Sequence, residues 1–167
     1  MKKVTLVLSV LVLTLSSFTD DSTSGSKASE QTALRIVAAL QHSSALEYSA
    51  LYPTLTEFHQ IMSENEMLYG LFAKEARDEF AIDYERYLMP KVKESFNALI
   101  KEGRNKGIDW SKVRYVSVAV EEEVTNVLTS VPFTIVVSAE GKEYKIRIEK
   151  ALFINGSWRV SQFIRLA

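Results

Sequence analysis

The fold is decided by residues 131–166, VPFTIVVSAEGKEYKIRIEKALFINGSWRVSQFIRL, which we interpret as three antiparallel strands joined by two tight turns. The second turn is Asn155-Gly156, a strong signal for a type I′ hairpin because both residues reach positive φ at little cost. This turn sets the register of the last pairing and places Phe153 opposite Trp158. The C-terminal part of the chain therefore predicts an antiparallel meander.

The penultimate strand should contain an irregularity, because its apolar alternation changes phase. Ile146 and Ile148 fall out of phase with Ala151. One inserted residue at 149–150 restores a continuous apolar face, and such a β-bulge also bends and twists the strand. We therefore expect a curled sheet. The resulting pairs are Ile148 with Gln162, Ile146 with Ile164 and Tyr144 with Leu166.

Helices should precede the sheet, because apolar residues recur at helical spacing over 30–41 and 64–106. An unbroken helix over 64–106 would exceed roughly 50 Å at about 1.5 Å per residue, so we expect Pro90 to divide it. Three capping boxes predict short helices in between. They are Ser44 with Glu47, Thr54 with Glu57 and Ser63 with Glu66.

The first strand should follow, since apolar and polar residues alternate over 113–123. A turn near Thr125-Asn126 would set Val116, Val118 and Val120 opposite the apolar residues of 131–135. Pro132 cannot donate to a ladder, so we expect it at an unpaired or bulged point. The chain thus predicts an α+β fold, with N-terminal helices packed on one face of a curved four-stranded antiparallel meander.

Composition limits the classes of function. The chain has 167 residues, 20 basic and 21 acidic side chains and no cysteine. A net charge of −1 gives no argument for nucleic acid as a partner. The lack of cysteine excludes disulfides, thiolate nucleophiles and cysteine-ligated metals.

The N-terminus has the pattern of a secretory signal peptide over residues 1–19. Two lysines precede an apolar run over 4–15, which is shorter than the roughly 20 residues needed to span a bilayer. We therefore expect a periplasmic or secreted protein without a membrane span after signal removal. A polar leader over 20–29 should be flexible, and residues 30–167 should form a single domain.

Helices followed by a bent meander resemble the NTF2-like group of the cystatin-like α+β fold. Residues 107–111 (GIDWS) and 155–158 (NGSW) are similar to parts of small exported bacterial proteins of that group. The resemblance implies a cone-shaped cavity between helices and sheet, which in some members holds a small apolar ligand or an active site and in others is filled. Members related to ketosteroid isomerase place an acidic base with Tyr or Asp donors there. No such set falls on the predicted inner face, and the cystatin Gln-x-Val-x-Gly loop is absent.

Gln162 is the sharpest candidate for a cavity residue, because its predicted neighbours Val160 and Ile164 are apolar. A buried amide without partners costs about 1–3 kcal/mol, so Gln162 should contact either a ligand or a structural partner such as a helix residue, a tyrosine or water. The other residues expected to line the cavity are Tyr144, His59, Tyr84 and Phe96. Two histidines without further ligands predict no metal site, and the chain predicts no cofactor.

The outer face of the predicted sheet mixes basic, apolar and aromatic residues, a composition common at interfaces. Members of the resembled group often dimerise through this face, so we expect a homodimer there, with a solvated face as the alternative. The residues are Tyr115, Val136, Lys145, Arg147, Phe163 and Arg165.

Two functional hypotheses follow. The favoured one is an exported, non-catalytic module that binds a small apolar ligand in its cavity or a protein on its sheet face, and it assigns no catalytic residue. The alternative is a small isomerase- or hydrolase-type enzyme with His59 or Asp83 as base.

Overall fold

A computed structural model describes residues 20–64, 73–120 and 130–167. Its helices are α1 (Asp20–Gln41), α2 (Ala45–Ser49), α3 (Leu55–Glu64), α4 (Ala73–Asp83), a π-helical turn (Tyr84–Leu88), α5 (Met89–Asn105) and a 3₁₀ turn (Trp110–Lys112). Its strands are β1 (Arg114–Val120), β2 (Ser130–Ala139), β3 (Lys142–Ile154), β4 (Ser157–Val160) and β5 (Ile164–Leu166).

The architecture is α+β, as the sequence predicts. The strands pair antiparallel in the order β1-β2-β3-β4, and β5 pairs with the earlier part of β3. The sheet is curled, and the helices precede it in the chain. α1 packs against β1 and β4, whereas α5 packs against β5, so the helices cover one face of the sheet.

The hairpin and the bulge predicted for β3 are both confirmed. Asn155 and Gly156 have φ values of 50° and 75°. Val131 pairs with Ala151 while Phe133 pairs with Ile148, so Pro132 alone faces the two residues 149–150 of β3. The extra residue in β3 returns its apolar side chains to one face, and Ile148 is fully buried.

The predicted register of the last strand is wrong. Ile148 pairs with Ile164, not with Gln162, and Ile146 pairs with Leu166. The cause is a three-residue segment, 161–163, that leaves the ladder opposite the two-residue bulge of β3 and divides the strand into β4 and β5. Gln162 is consequently exposed instead of buried.

The predicted register of β1 is also wrong, because β1 contains a bulge of its own. Tyr115 pairs with Val137 and Ser117 with Val136, which leaves Val116 as the extra residue, 45% exposed. Tyr115 therefore lies on the inner face, half-buried against the core, and not on the outer face.

One prediction about the helices needs correction, and another extends outside the described residues. Residues 20–29, predicted as a flexible leader, belong to α1, because a helix that packs from Ala28 onward extends towards its N-terminus at little cost. Ser63 lies in the last turn of α3, where its hydroxyl donates to the Gln60 carbonyl, and the helix start predicted from Ser63 and Glu66 falls outside the described residues. The signal peptide, the Thr125-Asn126 turn and Glu66 lie outside the described residues.

Pro90 lies in the first turn of α5, where the sequence predicts a new helix, but α4 ends at Asp83 and the backbone stays helical through Leu88 and Met89. The two helices meet through the π-helical turn, in which the Met89 N–H donates to the Tyr84 carbonyl. A π-turn inserts one residue into the helix, and such turns are frequent at functional sites. α5 then ends before Gly107, whose φ is 81°.

Large side chains occupy the space between the helices and the sheet. Phe96 stacks on Tyr48 with ring centroids 4.9 Å apart, and Phe133 contacts Trp158 edge to face at 4.8 Å. The largest fully buried residues include Trp158, Tyr48, Phe96, Phe133, Ile36, Leu40 and Leu51. Within the described ranges, no helix has the length and apolar character needed to cross a membrane.

Candidate functional site

The corner between α2 and α3 is fixed by three hydrogen bonds to distant segments. The Leu51 carbonyl accepts from the Val160 N–H at 2.9 Å. The Tyr52 hydroxyl donates to the Gln162 carbonyl at 2.7 Å. The next residue along, Pro53, accepts at its carbonyl from the Tyr84 hydroxyl at 3.0 Å. The corner therefore connects β4, the 161–163 segment and the π-helical turn.

The helix that follows this corner is capped and attached to the sheet by one carboxylate. Glu57 accepts from the Thr54 N–H at 2.7 Å and from Arg159 Nη2 of β4, also at 2.7 Å. Burial opposes ionisation of Glu57, but the hydrogen bonds to Arg159 and Thr54 outweigh it, so the pKa of Glu57 is lowered. The predicted Thr54–Glu57 capping box is thus present, and it also positions α3 against β4.

A groove lies where the 161–163 segment leaves the sheet. It encloses about 320 Å³, at the lower end of the roughly 300–1,000 Å³ typical of small-molecule sites. Leu88 of the π-helical turn, Phe163 and Ile164 provide apolar walls, and Phe163 is 48% exposed. The full lining is Tyr52, Leu88, Glu149, Ser161, Gln162, Phe163, Ile164 and Arg165.

The neutral polar groups of this groove are largely engaged within the protein. The Ser161 hydroxyl donates to the Lys150 carbonyl at 3.1 Å, and the Tyr52 hydroxyl is held by Gln162 as described above. Burial raises the pKa of Tyr52 to about 12, so this phenol stays neutral in the physiological range. These groups hold the walls in place, and the walls present mainly apolar surface.

A charged cluster borders the same groove. Glu149 accepts from Arg147 Nε at 3.0 Å and from Arg165 Nε at 2.8 Å. Hydrogen bonds from Arg165 and Arg147 lower the pKa of the Glu149 carboxyl, which is therefore ionised at neutral pH. One carboxylate thus faces two guanidinium groups.

A second pocket, of about 500 Å³, lies near the β2–β3 turn and is polar in character. Its lining includes Gln41, whose side-chain amide donates to the Val113 carbonyl at 2.7 Å. Lys112 is held by Asp109 and by Glu140, each at 3.1 Å. The side chains of Gln41 and Lys112 are thus engaged within the protein, and this pocket has no apolar wall comparable with that of the groove.

The residues predicted to line one cavity do not come together. Gln162 lines the groove, but as an exposed residue. Tyr144 is half-buried on the inner face opposite Val137. Tyr84 is a buried anchor of the α2–α3 corner, and Phe96 is fully buried in the core.

The histidine and carboxylate of the enzyme hypothesis lie on different helices. His59 is half-buried on α3, and its Nε2 has no hydrogen-bond partner in the described part of the chain. Asp83 is exposed at the end of α4. Among the residues with described placement, no three His, Cys, Asp or Glu side chains form a group that could hold a metal ion.

The predicted interface residues divide between three locations. Val136 pairs with Lys145, and Arg147 pairs with Arg165, so these four remain on the outer face. Tyr115 lies on the inner face, and Phe163 lies in the segment between β4 and β5. The dimer interface itself stays a prediction.

Sequence reasoning missed several groove residues, among them Leu88, Glu149 and Ile164. Tyr52 belongs to an aromatic set visible along the helices, but its spacing gives no sign of the contact with Gln162.

Comparison of the chain with protein-family profiles, curated proteins and solved structures found no match.

Proposed function

We propose that this protein is an exported, non-catalytic binding module of NTF2-like character that holds a small apolar molecule. The binding site in this proposal is the groove bordered by Leu88 and the 161–163 segment, at the boundary between the helices and the sheet. The observation that carries the proposal is the departure of 161–163 from the ladder, which exposes Phe163 beside an open volume of about 320 Å³.

Three backbone irregularities meet at this groove, and they support a binding role. The β3 bulge, the π-helical turn and the 161–163 segment each interrupt regular hydrogen bonding. Bulges and π-turns are over-represented at functional sites, where they redirect side chains. Here each one contributes lining residues, namely Glu149, Leu88 and Phe163 respectively.

An apolar ligand follows from the surface that the groove offers. Leu88 is half-buried and faces the groove with its exposed part, whereas Ile164 belongs to the buried core and forms the floor of the groove. Half of Phe163 is open to solvent. Removing such surface from water on ligand binding is favourable at about 25 cal/mol per Å² of apolar area.

The test is titration with a neutral apolar fluorophore, N-phenyl-1-naphthylamine. We expect its emission to increase with the wild-type protein and to saturate. Phe163→Asp places a charge in the apolar wall and should weaken binding by at least about tenfold, since about 1.4 kcal/mol corresponds to a factor of ten. Far-UV circular dichroism would confirm that this substitution at an exposed position leaves the fold intact.

The matched control is Val116→Asp, which places the same charge at another exposed apolar residue. Val116 is 45% exposed and Phe163 is 48% exposed, and both lie at backbone irregularities. The control should bind the fluorophore like the wild type. Equal losses in the two variants, or no saturable binding by the wild type, would remove the support for this function.

A further inference from the structure

We propose that Asn155 is a site of spontaneous deamidation and that its side-chain contact with Gln60 of α3 controls the rate. The Asn155-Gly156 turn suits this reaction, because a glycine without Cβ leaves the attacking backbone nitrogen unhindered. The inference adds a modification site to the molecule. It does not depend on the groove or on its ligand.

The reaction needs only the two turn residues and water. The backbone nitrogen of Gly156 loses its proton and attacks Cγ of Asn155, so that a new N–Cγ bond forms. The Cγ–Nδ2 bond breaks and ammonia leaves with the proton. Water then opens the cyclic succinimide at either of its carbonyl carbons. One opening gives aspartate, and the other gives isoaspartate, in which the main chain runs through the side chain.

The attacking nitrogen is accessible in the folded protein. Asn155 and Gly156 are both exposed, and in the described part of the chain the Gly156 N–H donates to no backbone carbonyl. A Cβ built at Gly156 would have no atom of the described residues within 4 Å, apart from its two neighbours in the sequence. Packing therefore keeps neither water nor base away from this turn.

The Asn155 side chain, in contrast, is held by α3. Its Nδ2 donates to Gln60 Oε1 at 3.1 Å, and its Oδ1 accepts from Gln60 Nε2 at 3.4 Å. This reciprocal contact, the amide pair, joins segments that are 95 residues apart in the chain. While both hydrogen bonds are made, Cγ of Asn155 cannot turn onto the Gly156 nitrogen.

The strength of the amide pair determines the size of the effect. Its second hydrogen bond is longer than the roughly 2.7–3.2 Å usual for N–H···O contacts, and both residues are exposed, so the pair is weak. A neutral hydrogen bond changes an equilibrium by about two- to tenfold. Because the reaction proceeds from the open pair, loss of the Gln60 side chain should accelerate it by about this factor.

Conversion of Asn155 would itself weaken the amide pair. A carboxylate keeps the acceptor for Gln60 Nε2 but has no N–H for Gln60 Oε1. α3 is also attached to this hairpin through Glu57 and Arg159 of β4. Deamidation therefore loosens one of the contacts between α3 and the hairpin, and isoaspartate also lengthens the main chain of the turn by one atom.

The experiment follows the tryptic peptide 151–159, in which Asn155 is the only asparagine. The native protein is incubated at mildly alkaline pH, and the aspartate and isoaspartate products are separated by chromatography and measured by mass spectrometry. The same chain unfolded in urea gives the intrinsic rate. We expect slow conversion in the wild type and about two- to tenfold faster conversion in Gln60→Ala. The peptide 94–101 contains Asn97 within α5 and should stay unchanged.

Two control variants separate the amide pair from other effects on the protein. Thr56→Ala changes another exposed residue of α3 and should convert at the wild-type rate. Ile100→Val removes a buried methyl group from α5 and modestly lowers global stability. It should also convert at the wild-type rate, because local opening costs less than global unfolding.

Each outcome decides for or against the amide pair. Equal rates in the wild type and Gln60→Ala would overturn the inference, and so would equal acceleration in Gln60→Ala and Ile100→Val. The inference is also wrong if native Gln60→Ala keeps the amide of Asn155 during the time in which the unfolded chain is fully converted. Acceleration in Gln60→Ala alone supports it.

Discussion

Replacing Gly103 by alanine should destabilise this protein, although the same change usually stabilises a helix. Gly103 lies in α5, and alanine in a helix interior is normally favoured over glycine by about 0.5–1 kcal/mol. Here an added Cβ would overlap Cζ2 of Trp110 and lie 2.7 Å from its Nε1. Contacts below 3.0 Å do not occur at real Cβ atoms, so the indole would have to move.

The cost follows from what the indole loses when it moves. Trp110 is 2% exposed, and its Nε1 donates to the Ile100 carbonyl at 2.9 Å. Overpacking of a core costs about 1–3 kcal/mol, and a buried donor or acceptor left without its partner costs about 1–3 kcal/mol. After subtraction of the helix-propensity gain, we expect Gly103→Ala to lower the free energy of unfolding by about 1–5 kcal/mol.

Urea denaturation followed by far-UV circular dichroism measures this loss. Lys101→Ala is the control, because Lys101 is an exposed residue of the same helix and its replacement should change stability by less than about 0.5 kcal/mol. In a Trp110→Leu background the clashing ring atoms are absent, so Gly103→Ala should become stabilising by about 0.5–1 kcal/mol. A destabilisation of equal size in both backgrounds would refute the reasoning.

Two further predictions concern the contacts that position the groove. Glu57→Gln should lower the free energy of unfolding at pH 7 by about 1–3 kcal/mol, because it weakens the Arg159 contact and the Thr54 cap. The pKa of Glu57 is lowered from 4.5, so the stability that Glu57 contributes is complete above pH 4.5 and is lost as the pH falls through the folded-state pKa. The difference in unfolding free energy between wild type and variant, measured in urea, should therefore shrink on acidification. Growth of this difference would contradict the assignment. Tyr52→Phe removes the hydrogen bond to the Gln162 carbonyl and should cost about 1 kcal/mol. It should also speed amide hydrogen exchange in the Gln162 segment, and unchanged exchange there would count against the anchoring role.

Those parts of the fold that depend on local chemistry could be read from the sequence. Asn155 and Gly156 determine their hairpin because few residue pairs adopt positive φ so easily. The bulge in β3 follows from a change of phase in its own apolar pattern. Pro132 lies opposite this bulge because a residue without an N–H fits where the ladder is interrupted.

The misassigned registers arise where side-chain pattern gives no signal. Val116 continues a regular valine alternation, yet it is the residue that bulges out of β1. Residues 161–163 contain neither glycine nor proline, and none of them has positive φ. An irregularity that uses ordinary backbone angles and ordinary residues is settled by packing against the rest of the domain, and the sequence alone does not reveal it.

The groove was beyond sequence reasoning for a related reason. Its walls come from Tyr52, Leu88 and the segment after Val160, which are far apart in the chain. Hydrogen bonds from two tyrosine hydroxyls to backbone carbonyls bring these segments together. A backbone carbonyl carries no sequence signature, so such a contact cannot be inferred from residue types. The sequence does single out Gln162 as a candidate cavity residue, but only because the predicted register wrongly pairs it with Ile148.

The most direct test of the central claim is an NMR titration of the ¹⁵N-labelled protein with 1-octanol. If the groove binds apolar molecules, the amide shifts should concentrate at Tyr52, Leu88 and residues 161–165 and should saturate with a single dissociation constant. Shifts that centre instead on the polar pocket around Gln41, or that spread without saturation over the surface, would contradict the account.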